Sequence, residues 1–394
     1  MNKTLCRALT SISIISTFSV LATSFTDPID GMFDMGEYLA ENAYGFLPIP
    51  IVITEPAVGF GGGMFGLFLH ENEQEKEQRQ QQALQSIDGG AQLIPPAVSV
   101  FGGAATENGT WFAAFGHRRT WNQDSIRYMG GLGYGNAFVD VSTPFNDVLL
   151  PSKFESDTKG MGGIQHLQFR IENTDLFLGL SQTYTRSEVR ASDPRISKLL
   201  EAVFGDSSTS SGLGFTLEYD TTNSFFFPTS GISVETEYMW YREGLGGDFN
   251  YDTLAFSLTS YHALSPRFTL IGHASFDALE SKEHDSSSLS SSLPPLTQPY
   301  IDMRGIAAYA YQNDIASTLQ TQLMWHVDPR WTVLGFGGIG SVAKEASELY
   351  SDKQWAYGLG FRYQIARRYG IHTGMDFAFS DDEKAFYFNV GSGF

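Results

Sequence analysis

From Trp355 to Ile365 every second residue is large and apolar. Trp355, Tyr357, Leu359, Phe361, Tyr363 and Ile365 fall on one side; Ala356, Gly358, Gly360, Arg362 and Gln364 fall on the other. Successive side chains of a pleated backbone leave in opposite directions, so a period of two marks a strand with two unlike faces. The pattern recurs. Leu254, Phe256 and Leu258 alternate with Thr253, Ala255, Ser257 and Thr259, and Phe386, Phe388, Val390 and Phe394 alternate with Tyr387, Asn389, Gly391 and Gly393. A chain that alternates in this way over most of its length is confined to an all-β fold.

Fifteen strands are legible, near 58–69, 97–106, 110–119, 125–137, 159–171, 175–187, 212–224, 231–242, 251–263, 267–280, 314–327, 330–342, 354–366, 370–380 and 384–394. Such strands have two homes. In a soluble sandwich the apolar face packs inward; in a membrane barrel it meets lipid and the inside is wet or plugged. Trp and Tyr crown the apolar faces near strand ends, as an interfacial girdle does. Short turns alternate with long polar loops, and the chain closes on an aromatic strand. These features favour a transmembrane antiparallel β-barrel over residues 56–394. Single-chain bacterial barrels carry an even number of strands. One strand is therefore expected to be hidden, around 138–158, which makes sixteen.

The N-terminus reads as an export signal. Lys3 and Arg7 precede an uncharged stretch from Ala8 to Phe25, and Ala22 and Ser24 offer a small-residue cleavage site. Residues 1–24 are assigned to a signal peptide, with a membrane anchor as the alternative. Residues 25–55 form a lead-in: Phe33 to Asn42 could be a short helix, and Phe46 to Ile53 carries Pro48 and Pro50, which bar it from an inner strand. A disordered tail is the alternative there.

Composition removes several functions. The net charge is −19, so the basic surface that nucleic acid needs is lacking. The single cysteine is Cys6, inside the expected signal, so no disulfide framework or thiol nucleophile is available. The eight histidines are scattered without metal-ligand spacing. No Gly-x-Ser-x-Gly, P-loop or His-Glu-x-x-His pattern occurs, and Gly61-Gly62-Gly63 opens no helix. No catalytic residue, metal or cofactor is expected. Glu71 to Gln85 is a charged, solvated run, Glu280 to Tyr300 a Ser-rich loop, and Pro194 to Phe204 a short amphipathic helix capped by Asp193.

Three segments together resemble the BamA/TamA family of bacterial surface antigens. The first, Gly212 to Gly231, contains Asp220-Thr221-Thr222-Asn223 followed by aromatics and Pro228-Thr229-Ser230-Gly231, similar to a periplasmic turn of that family; Asp220, Asn223, Pro228, Thr229 and Gly231 carry it. The second, Met303-Arg304-Gly305-Ile306, resembles the tip of the sixth extracellular loop. The third is the terminal strand with Phe386, Phe388, Val390 and Phe394, similar to the signal by which outer-membrane barrels are recognised for insertion.

The resemblance implies a sixteen-stranded barrel in the bacterial outer membrane, inserted by the barrel-assembly machinery into the lipid bilayer. It also implies that the sixth loop folds into the lumen, where Arg304 meets an acidic wall residue. The usual acidic positions read Gln322 and Gly338, so Asp376, Gln322 and Asp302 are the candidate partners of Arg304. Family members carry POTRA repeats before the barrel, and residues 26–55 are too few for one.

Three functions stay open. The first is assembly or translocation of a polypeptide client. The second is a passive pore or a structural, homo-oligomeric barrel. The third is a barrel enzyme, which the missing motifs disfavour.

Overall fold

A computed structural model describes residues 25–27, 29–36, 47–70, 97–122, 124–142, 153–224, 226–281, 293, 297–367, 370–381 and 383–393. The expected signal peptide, most of the helix-prone stretch at 33–42, the charged run at 71–85, most of the Ser-rich loop and Phe394 lie outside these residues.

Sixteen strands form one sheet in chain order, each antiparallel to the next. The first eight are β1 (Leu47–Ile53), β2 (Gly61–His70), β3 (Ala97–Thr106), β4 (Trp111–Trp121), β5 (Ile126–Ser142), β6 (Lys153–Arg170), β7 (Leu176–Ala191) and β8 (Ser208–Asp220). The second eight are β9 (Gly231–Tyr241), β10 (Tyr251–Ser265), β11 (Phe268–Ser281), β12 (Ile315–His326), β13 (Trp331–Ala343), β14 (Gln354–Ala366), β15 (Ile371–Ser380) and β16 (Lys384–Val390). The sheet curls until β1 and β16 lie side by side, yet among the described residues no ladder joins them. The barrel therefore has a seam. No helix among the described residues is long and apolar enough to cross a membrane; the crossing elements are strands.

The period-two pattern sorts as physics requires. Trp331, Val333, Leu323, Trp325, Trp355, Tyr357, Leu359, Phe377 and Val390 are exposed on the outer wall. Their neighbours Thr332, Leu334, Gln322, Met324, Ala356, Arg362, Asp376 and Ala378 are buried inside. Lipid takes the place of a protein core on the outside, so large apolar side chains stay exposed there without cost.

Two expectations need correction. The sixteenth strand is not hidden at 138–158, where β5 runs on to Ser142 and β6 starts at Lys153. It is β1, in the Pro-containing stretch read as a lead-in. Pro48 and Pro50 pair with Gly66 and Met64 of β2. An edge strand has one partner, and two prolines of the same parity lack donors on the same edge, so the proline rule holds for β1. The terminal strand also stops early, at Val390, where Gly391 (φ 102°) breaks the extended backbone.

The lumen is filled unevenly. Beside β10–β16 it holds packed side chains. Beside β2–β6 the inner wall is stripped by Gly61, Gly63, Gly102, Gly116, Gly131, Gly133, Gly135, Gly160 and Gly162, and Met129 and Ile164 remain 44% and 41% exposed there. Helix α1 (Pro194–Phe204) follows β7, capped by Asp193, whose Oδ1 accepts from the Arg195 amide at 2.7 Å. Its Leu200 packs on Val139, Val141 and Phe154, so the helix sits over the ends of β5 and β6 nearest the loop that joins them.

Candidate functional site

The loop between β11 and β12 turns back into the barrel. Ile301, Met303 and Ile306 are buried against Ala356. The wall makes room for them: a Cβ on Gly340 would lie 2.4 Å from Ile301, and one on Gly338 would lie 2.8 Å from the Met303 sulfur. Gly338 thus receives a loop side chain instead of supplying an acid. Gly305 (φ 94°) fits between Ala356 and Ala378, and its amide donates to the Tyr387 hydroxyl at 2.9 Å.

Between them Arg304 reaches the wall. It donates to Asp376 Oδ2 at 2.6 Å and to Gln322 Oε1 at 2.8 Å, and its guanidinium lies 3.7 Å from the Phe336 ring centre. Of the three candidate partners the structure brings Asp376 and Gln322 to Arg304. Asp302 offers its main-chain carbonyl to Gln320 at 3.4 Å.

A second arginine shares the acid. Arg362, fully buried, donates to Asp376 Oδ1 at 2.6 Å and to Oδ2 at 2.9 Å, and Asn389 adds a bond at 2.7 Å. Two guanidinium groups on one carboxylate leave donors over, and a buried donor needs an acceptor. The chain end supplies them. Gly391 O accepts from Arg362 Nε at 3.0 Å, and Ser392 O accepts from Gln322 at 3.0 Å and from Arg362 at 3.4 Å. Residues 391–393 therefore leave the wall and enter the lumen.

The Asp220–Gly231 turn reaches the same place from across the barrel. Asn223 Oδ1 accepts from the amides of Thr229 and Ser230, its Nδ2 donates to the Thr229 hydroxyl, and Asp220 caps Thr222. Gly231 (φ 112°) sits where a Cβ would lie 2.4 Å from the Thr221 carbonyl. This framework holds Phe227 inward, buried and stacked on His372 with ring centres 3.8 Å apart. Tyr261, Ile271, Met324 and Leu334 complete the pocket. Phe226 meets Gly391, where a Cβ would lie 2.8 Å from its carbonyl. Pro228 is buried beside Phe227, and Thr229 lies half-buried on the turn. The expected insertion-signal residues Phe386, Phe388 and Val390 face outward on β16.

One cluster had no motif to announce it. Arg330, in the turn between β12 and β13, is enclosed by Asp27, Asp30 and Asp34 at 2.6, 2.5 and 2.5 Å. Arg367, after β14, adds a pair with Asp27 at 2.6 Å. The Met35 amide donates to the Ile365 carbonyl and the Tyr363 hydroxyl to the Phe33 carbonyl. A hairpin of the lead-in is thus clasped to the rim that carries the β12–β13 turn, on the β16 side of the seam, while the chain reappears as β1 on the other side. Burial pushes the Asp27 carboxyl up, but the Ile29 amide and Arg367 hold it below the ordinary aspartate value; Arg330 does the same for Asp30. Three spaced aspartates before β1 were the only signal in the sequence. Among the described residues no three His, Cys, Asp or Glu side chains gather as a metal site.

A seamed barrel with a loop locked inside its lumen defines a class of outer-membrane protein. Residues 109–296 match the Omp85 superfamily domain, and the chain is a BamA-like transmembrane barrel of the bacterial outer membrane. Its fold is similar to BamA from Haemophilus ducreyi lacking POTRA domains 1–3, at 12% identity and TM-score 0.56 over 89% of this chain and 70% of that one. It is also similar to CdiB from Escherichia coli (10% identity, TM-score 0.52, 87% of this chain and 61% of that one). CdiB from Acinetobacter baumannii gives 9% identity and TM-score 0.51 over 88% and 59%. The chain thus spans about three fifths of the CdiB chains. No curated protein matches the sequence significantly.

Proposed function

We propose that this barrel assists insertion or transport of polypeptides at the outer membrane, and that the β1–β16 seam is its working part. The observation that carries the reading is the seam itself. β1 and β16 are neighbours without a ladder, and both are only seven residues long. An unlaced pair of edges leaves backbone groups facing hydrocarbon at several kcal/mol each, so it is the part of a barrel most ready to accept another strand. The loop lock and the chain-end tail hold the β15–β16 side in place from within. The packed loop, turn and tail along β10–β16 speak against a steadily open pore. The protein clients and partners of Omp85 barrels agree with this reading at the level of the family.

A cross-link tests it. One cysteine is placed on β1 (Pro50 or Val52) and one on β16 (Phe386 or Phe388), all facing lipid. Oxidation is expected to abolish complementation in cells carrying this chain as the sole copy, and reduction to restore it. Full function with the seam cross-linked overturns the proposal. Steady single-channel current from the purified wild type would favour the passive pore instead.

A further inference from the structure

The outer wall carries one row that does not suit lipid. Ser99, His117, Gly130, Gln165 and Gln182 are successive cross-strand partners on β3 to β7, and all face outward. Gln165 and Gln182 are exposed, between Met161 and Phe169 on one strand and Leu180 and Tyr184 on the next, inside the apolar band. Tyr128 donates to Gln165 Oε1 at 3.1 Å, and Gln165 donates to Gln182 Oε1 at 3.4 Å. The remaining amide hydrogens of the pair have no partner among the described residues. Other outward polar groups are satisfied locally: Ser260 donates to the Gly272 carbonyl and Thr321 to the Ile271 carbonyl. Hydroxyls can fold back in this way; an amide held at the end of two methylenes is left presenting donors to hydrocarbon, where they are costly.

Beside the row the wall is recessed. Ala113, Gly130 and Gly163 bring no large side chain to the surface, and a hollow of about 890 Å³ opens between Phe115, Tyr134, Met161 and Tyr184. We infer that this face of β3–β7 is a self-association surface, where a second copy of the chain packs across a twofold axis and pairs its Gln165–Gln182 row with its counterpart. A carboxamide carries both donor and acceptor, so a row of them is complementary to itself under twofold symmetry, as an isologous interface requires. The area suffices. Five strands about 4.8 Å apart and an apolar band about 25 Å tall present roughly 600 Å² per copy. A pair then buries about 1,000 Å² or more, the scale of a specific interface. The surface does not include the seam, from which β1 and β2 separate it.

The test uses the full-length protein in lipid nanodiscs and in mild detergent, with mass read by light scattering and native mass spectrometry. The wild type is expected to be dimeric, and the double variant Gln165→Leu, Gln182→Leu to dissociate with a constant raised at least about tenfold. Retained heat-modifiability of the variant shows that its barrel is folded. In membranes, Gln182→Cys is expected to form a disulfide-linked dimer on oxidation. A monomeric wild type overturns the inference, as does a dimer unchanged by the double substitution. A monomer that retains a lipid, released by the double variant, would assign the recess to lipid and also overturn it.

Discussion

Arg304 and Asp376 lie 72 residues apart in sequence and 2.6 Å apart inside the barrel. Their pairing is not a private one, because Arg362 holds the same carboxylate and the Gly391 and Ser392 carbonyls take up the spare donors. The loop, the last hairpin and the chain end are thereby one hydrogen-bonded unit.

The unit predicts an order of severity. Asp376→Asn leaves two buried guanidinium groups without their counter-charge and should cost on the order of 3–5 kcal/mol. Arg304→Ala leaves the Arg362–Asp376 pair intact and should cost less. Gln322→Leu leaves every counter-charge in place and removes one bond from Arg304 and one to the Ser392 carbonyl, about 1–3 kcal/mol in all. Heat-modifiability on electrophoresis and protease cleavage within 297–314 should follow that order; equal effects would mean that Asp376 does not serve both arginines.

A methyl group at the chain end should reach the loop. Gly393 has φ 104°, and a Cβ there would lie 2.8 Å from Arg362 and 2.9 Å from Arg304. Gly393→Ala should release the tail and weaken the lock by about 1–3 kcal/mol. Combined with Arg304→Ala it should cost clearly less than the sum, since both changes break one unit. Additive losses in urea unfolding from liposomes would refute the coupling.

The turn plug has its own signature. Phe227→Ala removes a buried ring and its stack on His372, and should cost about 3–5 kcal/mol. Asn223→Ala, which removes bonds that shape the turn, should cost about 1–2 kcal/mol. Both should raise uptake of large antibiotics by cells, because the plug fills the lumen at that mouth of the barrel. Unaltered uptake would place the permeability barrier elsewhere, such as under helix α1.

Acid should open the clasp. Asp27 and Asp30 titrate lower in the folded chain than in the unfolded one, where the ordinary value is near 3.8. Their contribution to stability is therefore complete above about pH 4 and is lost as the pH falls through the lower folded values. Proteolysis of residues 25–36 should be slow at pH 7 and rise in a brief exposure below about pH 3.5. Arg330→Ala should abolish that dependence by exposing the segment at pH 7. Salt should loosen Arg367, which is partly exposed, before it loosens Arg330.

How much of this could be read from residues alone depends on how local the cause is. Alternation at Trp355–Ile365 is local, and fifteen strands followed from it. The helix over 194–204 was legible because its cap and first-turn proline are adjacent in sequence. β1 was missed because Pro48 and Pro50 argue against an inner strand, and only the topology makes the strand an edge. Arg304 was marked by its motif, but its partner could not be fixed, since Gln322 and Gly338 departed from the expected acids. The reason appears only in three dimensions: Gly338 gives its space to Met303, and the charge sits two strands away on Asp376. The Asp27–Arg330 contact spans 303 residues and left no periodic trace. That Phe227 points inward, rather than lying along the membrane surface, is likewise set by distant contacts with His372 and the Met324–Leu334 pocket.

The glycine-lined inner wall of β2–β6 has a mechanical meaning. A hoop braced along one arc and bare along another does not bend evenly when its ends are pulled apart. The arc from β10 to β16 is splinted from within by the loop, the turn and the tail, and will move as a block. The opposite arc, lined by glycine along β2–β6, is the compliant one, so displacement at the seam should be absorbed there as curvature. Amide exchange should accordingly be faster along β3–β5 than along β12–β15. A second copy seated on the outside of that same arc would act as an external splint, making the ease with which the seam opens depend on whether the barrel is alone.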